Sequence, residues 1–268
     1  MAGLFAILSP AKTLDMAACH DSLPIERSRP RLTSRTRQLA DTLAHFSVAQ
    51  LSTLMKISQQ LAEQNARRFQ DFGGRSNPRA AAAICFRGDV YQGLEAWTMK
   101  ATALKWAQQR LRTLSGLYGL LRPLDTIQPY RLEMGTRLKT DQGGDLYSFW
   151  GDQIHTLLGQ DIAACQATAL VNLASDEYSK AAQLKRLDVP VIAVKFLQVD
   201  RGKSKFITYY GKRARGLMAR WMADHRPKSI ADLADFDSEG YRFDSSESSD
   251  TTLVFTRPKP APVSAKVG

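Results

Sequence analysis

The chain has 268 residues, enough for one large domain or two small ones and for a substantial core. Hydrophobic residues make up 44% and charged residues 24%, an ordinary globular composition that excludes a disordered or fibrous chain. The formal net charge of +11, with a pI near 9.7, directs attention to anionic partners: nucleic acid, a membrane surface or a phosphorylated ligand.

The first element is a buried strand. Leu4 to Leu8 is an unbroken apolar run that ends at Ser9-Pro10. It is too short for a membrane span and lacks the basic flank of a signal peptide, so the expected location is the cytoplasm, with no membrane partner. A loop containing Pro24 and Pro30 carries Arg27, Arg29, Arg31, Arg35 and Arg37 and opens a helix near Thr33. Ser47 with Gln50 three residues on predicts a capping box, Ser58 a second cap, and Gly73-Gly74 the end of the following helix.

Ala81 to Phe86 is ambiguous, with a strand running into the Gly88-Asp89 turn as one reading. A helix is predicted over Ala101 to Leu114, with Leu104, Ala107, Leu111 and Leu114 on one face and Lys105, Gln109 and Arg112 elsewhere. Asp145 is the expected N-cap of a helix containing Phe149, Trp150 and Ile154. Leu170 to Ala174 is a buried strand that runs into Ser175-Asp176-Glu177. Val191 to Val199 and Phe206 to Tyr210 form an expected hairpin around Asp200-Arg201-Gly202-Lys203, followed by a helix from about Lys212 to His225. The pattern predicts one mixed α/β domain, a mixed sheet flanked by helices over 1–256, with a flexible tail at 257–268.

Three constellations bear on chemistry. In the helix from Lys212, the residues Ala214, Leu217, Met218, Trp221 and Met222 share one half of the wheel, and Lys212, Arg213, Arg215 and Arg220 share the other. Fixed cations on a rigid face suit a phosphate backbone; a solvated basic face fits the same pattern. The segment Leu111 to Pro123 resembles a helix-hairpin-helix element. Ser115, Gly116 and Gly119 would offer backbone N–H groups to phosphate, flanked by Arg112 and Arg122. Its Gly-x-x-Gly spacing is one residue longer than the usual Gly-x-Gly, and a plain helix end at Gly116 is the competing reading. The third is polar: Lys12, Asp89, Asp176 and Glu177 lie in loops after strands, where binding sites collect in α/β proteins. Helix capping by Asp176 and Glu177 together with surface charge is the competing reading.

Cys19, Cys85 and Cys165 have neither disulfide-framework nor zinc spacing, and His20, His45, His155 and His225 are scattered. No P-loop, GxGxxG, HExxH or GxSxG motif occurs. The expectation is therefore no metal site and no cofactor.

Taken together these segments resemble the YaaA peroxide-stress family. The residues that carry the resemblance are Ile7 to Asp15 (ILSPAKTLD), Gly88 to Tyr91, Leu114 to Asp125 (LSGLYGLLRPLD), Gln128 to Gly135 (QPYRLEMG), Asp145 to Asp152, Asn172 to Tyr178 (NLASDEY), Lys212 to Met218 (KRARGLM) and Ser238 to Tyr241. The stretch Arg27 to Arg37 and the tail carry no match. The resemblance implies a single α/β domain with a basic cleft and a helix-hairpin-helix element. It also implies binding to double-stranded and junction DNA, and a lowering of free iron that limits DNA damage under hydrogen peroxide. No protein partner is implied. The alternative is an enzyme acting on a nucleotide, a nucleobase or damaged nucleic acid through Lys12, Asp89, Asp176 and Glu177.

Overall fold

The computed structural model describes residues 3–17 and 25–260. Strand β1 (Gly3–Leu8) is buried along its whole length, as a continuous apolar run requires when both faces are covered. The short strand β2 (Thr13–Leu14) follows. Helices α1 (Thr33–Ala44), α2 (Val48–Met55) and α3 (Gln59–Gln70) come next. The capping box forms as the sequence predicts: Gln50 N donates to Ser47 Oγ and Ser47 N to Gln50 Oε1, while Ser58 caps α3.

Ala81 to Phe86 divides between both of its readings. A helical turn, α4 (Ala82–Cys85), sits between the two-residue strands β3 (Ala80–Ala81) and β4 (Phe86–Arg87). Helix α5 (Asp89–Leu94) precedes α6 (Ala101–Arg110). The chain then turns extended at Leu111, where the sequence pattern had the helix continuing to Leu114. Strand β5 (Leu111–Ser115) hydrogen-bonds in parallel to β1, and β6 (Gly119–Leu121) folds back on it. Then come β7 (Thr126–Ile127), α7 (Leu146–Trp150), α8 (Gln153–Ala164), β8 (Ala167–Leu173) and α9 (Asp176–Ala181). Asp145 caps α7, its carboxylate accepting from Ser148 N, and Gly151 at φ 48° breaks α7 from α8.

Strands β9 (Val191–Asp200) and β10 (Lys203–Lys205) form a hairpin at the expected turn, but the second arm is Lys203–Lys205; the expected arm, Phe206 to Tyr210, is not a strand. Helix α10 begins already at Thr208 and runs to His225, so Tyr209 and Tyr210 are helical. Strands β11 (Arg242–Phe243) and β12 (Thr252–Pro258) close the domain. Because β12 reaches Pro258 and Arg257 is buried, ordered structure extends past the expected boundary at 256; residues 261–268 and Cys19 and His20 lie outside the described residues.

The main sheet runs β11-β12-β9-β8-β1-β5-β6, with β10 beside β9. Strands β5, β1, β8, β9 and β12 are mutually parallel, and β6 and β11 are antiparallel at the edges. β1 lies in the middle. From it the chain travels to β5 on one side and later returns to β8 on the other, then moves outward to β9. The strand order therefore reverses between β1 and β8, and a crevice opens at their carboxyl ends.

Helix α10 packs across α5 through two glycines. A Cβ on Gly216 would lie 1.7 Å from Val90 O, and one on Gly93 would lie 2.2 Å from Arg213 O. The KRARGLM motif thus needs its glycine for backbone-to-backbone contact between helices.

Candidate functional site

The crevice between β1 and β8 gathers the polar residues that the sequence scatters. Leu8 is paired with Leu173, so the loops that leave both strands start side by side. Ser175 N donates to Ser9 Oγ at 2.9 Å, and the Ser9 and Ser175 hydroxyls are 3.2 Å apart. The Tyr91 hydroxyl, from α5, donates to Ser9 O at 3.2 Å and also meets Thr113 Oγ1 at 3.1 Å. Burial drives the Tyr91 phenol well above its usual range, so it remains a neutral donor.

Lys12 bridges to Glu133 Oε2 at 2.8 Å, and Arg131 reaches the other carboxylate oxygen at 3.1 Å. Glu177 accepts from Gly135 N at 2.9 Å through Oε1, which ties the 133–135 loop to the start of α9. Neither Asp176 nor Glu177 caps its helix through the side chain; Ser175 holds the N-cap position without a side-chain bond. Helix α10 packs on β1 and β8 and brings in Arg215. Burial lowers the Arg215 guanidinium pKa, and the Asp176 carboxylate opposes the shift. Beside these groups lies an open groove of about 680 Å³, lined by Lys56, Glu133, Gly135, Thr136, Arg137 and Glu177.

Lys12, Asp176 and Glu177 are therefore drawn to one end of the sheet. Asp89, the first residue of α5, stands at the same end: its neighbour Gly88 faces Ala11, 3.4 Å from an ideal Cβ. Sequence reasoning placed the Ser9 segment in this polar set but missed Glu133 and Arg215 as members of it. The QPYRLEMG motif contained Glu133, but nothing in the spacing brings residue 133 to residue 12.

The expected helix-hairpin-helix is replaced by a β-hairpin. Leu111 to Leu121 is buried throughout, Arg112, Ser115, Gly116 and Gly119 included. A Cβ at Gly116 would lie 2.3 Å from Leu132 O, and the Gly116 carbonyl accepts from Trp150 Nε1 at 3.0 Å. Ser115 Oγ is taken by Tyr130 OH at 2.6 Å. Gly119 has φ +69°, with Leu32 and Trp150 side chains within 3.0 Å of an ideal Cβ. These glycines make room for neighbouring parts of the protein in a fully buried segment. The physical reason is cooperative: LRTLSGLYGLL is apolar enough for either element, and the edge of β1 supplies a ladder of hydrogen bonds that a helix could not use.

Several of the expected DNA-contacting cations are paired with carboxylates of the protein itself. Arg112 lies over the Phe5 ring and bonds Asp161 at 2.6 Å. Arg122 donates to the fully buried Asp125 carboxylate. Arg213 pairs with Glu239 at 2.7 Å and Arg220 with Asp224 at 2.7 Å. Lys105 and Lys212 remain exposed. A run of exposed cations lies around the β9–β10 turn. Residues 201–212 contain Arg201, Lys203, Lys205 and Lys212 and no carboxylate. All four are exposed, while nearby Asp200 is paired with Lys259 at 2.9 Å.

Fold and site define a single-domain, mostly parallel α/β protein with a polar crevice at its strand-order reversal and a separate basic edge. The sequence comparisons specify which one. The family model described as "Peroxide stress protein YaaA" matches residues 4–247, and the chain belongs to this family. It is 45% identical over 262 residues to a UPF0246 protein of Phenylobacterium zucineum, covering 98% of each chain. UPF0246 proteins of Idiomarina loihiensis and a Marinomonas species are each 45% identical as well. They align over 256 and 258 residues, with 95% of this chain covered in both and 98% and 97% of the relatives. Among the described residues no helix is long and apolar enough to cross a membrane, and no group of three or more His, Cys, Asp or Glu is placed to hold a metal ion.

Proposed function

We propose that this peroxide-stress family member acts in the cytoplasm as a DNA-binding protein that holds double-stranded or junction DNA by its phosphate backbone. The observation that carries the reading is the exposed run from Arg201 to Lys212, four cations without a carboxylate, mounted where a hairpin meets an 18-residue helix. Phosphates need several cations held at fixed spacing, and the hairpin and first turns of α10 hold these four. Base-specific contacts play no part in this reading, because three of the four cations are lysines, which give charge without a planar, bidentate fork. Protection from peroxide would follow from occupancy of DNA. The link to free iron rests on the family resemblance alone.

Titration of a random duplex at several salt concentrations tests this. Four phosphate contacts give a log–log slope of about −3.6. The double variant K203Q/K205Q should bring it to about −1.8. A slope near zero for the unmodified protein removes the proposal.

The convergence of Lys12, Glu133, Asp176, Glu177 and Arg215 beside Ser9 favours a second reading, an enzyme acting on a nucleotide or nucleobase. Lys56 and Arg137 line the groove together with Glu133 and Glu177; the cations suit a phosphate, and the carboxylates suit sugar hydroxyls or a base edge. Thermal shift with nucleoside monophosphates reports such binding, and E177Q should abolish the shift. No shift with any of them sinks this reading.

A further inference from the structure

We infer that Phe206 and Tyr209 form a stacking platform for unpaired bases, so that the basic edge prefers single-stranded or locally melted DNA to intact duplex. The inference rests on the DNA-binding proposal above and names which form of DNA that surface fits.

Large apolar side chains are buried almost everywhere in this protein. Among the described residues the exposed exceptions are Leu61, Phe206 and Tyr209, with Phe206 54% and Tyr209 50% exposed. Both aromatics fall within the four-cation run. Phe206 is held in place: it lies against Gly211, where a Cβ would come within 2.3 Å of its Cε2 atom. One side of the ring is thus seated on the helix, and the rest faces solvent. Tyr209, on the first turn of α10, packs edge-on against Tyr210 at 5.3 Å and 67°. Tyr210 in turn has the Arg257 guanidinium 5.0 Å from its centroid. Each exposed ring thus has a neighbour on α10 against one side.

An exposed aromatic amid cations suits a particular occupant. Duplex DNA presents phosphates but keeps its base faces stacked, so it would use Lys203, Lys205 and Lys212 and leave the rings idle. A single strand supplies phosphates for the cations and free π-faces for the rings. A second copy of the chain is disfavoured, because it would bring two sets of like charges together.

Fluorescence anisotropy of a labelled dT 20-mer and of a duplex of equal length tests the inference, with the full chain and F206A/Y209A. The rings lie outside the core, so the variant should keep its circular dichroism spectrum and melting point; F206Y/Y209F serves as a stacking-competent control. The expected result is a loss of about tenfold or more in single-strand affinity for F206A/Y209A. Duplex affinity should change less than twofold, and F206Y/Y209F should retain both. Equal losses on both DNAs, or no loss on the single strand, overturn the platform while leaving DNA binding intact. Binding of neither DNA by the unmodified protein removes both proposals. A concentration-dependent dimer in sedimentation that F206A/Y209A abolishes would reassign the surface to self-association.

Discussion

Replacing Asp161 with Ala should destabilise the protein strongly without touching DNA affinity. Asp161, on α8, receives Arg31 through two parallel bonds of 2.6 Å and Arg112 Nε through a third of 2.6 Å. The side chains of Arg112 and Asp161 are 5% and 10% exposed. Arg112 also donates to the carbonyls of Gln108, Gln109 and Leu111, closing the end of α6 where the chain turns into β5. Removing the carboxylate leaves a buried guanidinium without its counter-charge, a change that costs about 3–5 kcal/mol. The lower end, about 3 kcal/mol, applies because Arg31 is partly solvated and Arg112 keeps its carbonyl partners. At roughly 2–4 °C per kcal/mol for a chain of this size, Tm should fall by about 6–12 °C.

The effect has a pH signature. Burial pushes the Asp161 carboxyl pKa up, but the hydrogen bonds and charges of Arg31 and Arg112 together bring it below the usual carboxylate range. A depressed carboxylate stabilises the fold above its unfolded pKa of about 3.9, and that contribution is lost as pH falls through the lower folded value. The Tm gap between the two proteins should be constant from neutral pH down to about 5 and narrow below about 4. Thermal melts followed by circular dichroism at several pH values measure both quantities. A gap under about 2 °C at pH 7, or one that does not close in acid, refutes the account of this network.

Gly216→Ala should cost about 1–3 kcal/mol or prevent folding, because its Cβ would enter the Val90 carbonyl at the α5–α10 crossing; soluble yield and urea midpoint report it. Gly119→Val should unfold the β5–β6 hairpin rather than selectively weaken DNA binding, since φ +69° and the Leu32 and Trp150 side chains exclude a branched residue; a folded variant with normal Tm contradicts this. Arg213→Ala should lower stability by about 1 kcal/mol, through loss of its Glu239 pair and its bond to Gln92 O, and leave the salt slope of DNA binding unchanged. Arg220→Ala should behave in the same way, so a fall in slope for either arginine would restore the outer face of α10 as a phosphate contact.

Local signals settled by chain neighbours were legible in the sequence. The apolar run of β1, the Ser47–Gln50 capping box, the Asp145 cap and the β9–β10 turn are decided within a few residues. The mixed α/β class and family membership were legible for a related reason: motif order along the chain survives without knowledge of contacts. The tertiary structure decided what depends on partners far away in sequence. Leu111 to Ser115 is extended because β1, over a hundred residues earlier, offers it a hydrogen-bonding edge, which outweighs helix periodicity. The arginines of α10 looked like an outward cationic face because helical geometry fixes direction but not company. Glu239 and Asp224 then neutralised Arg213 and Arg220, while the β9–β10 turn kept its charges exposed. The crevice exists because the strand order reverses between β1 and β8, placing Ser9 against Ser175 across a separation of 166 residues. No periodicity encodes that meeting; it follows from sheet topology, and only the folded chain determines it.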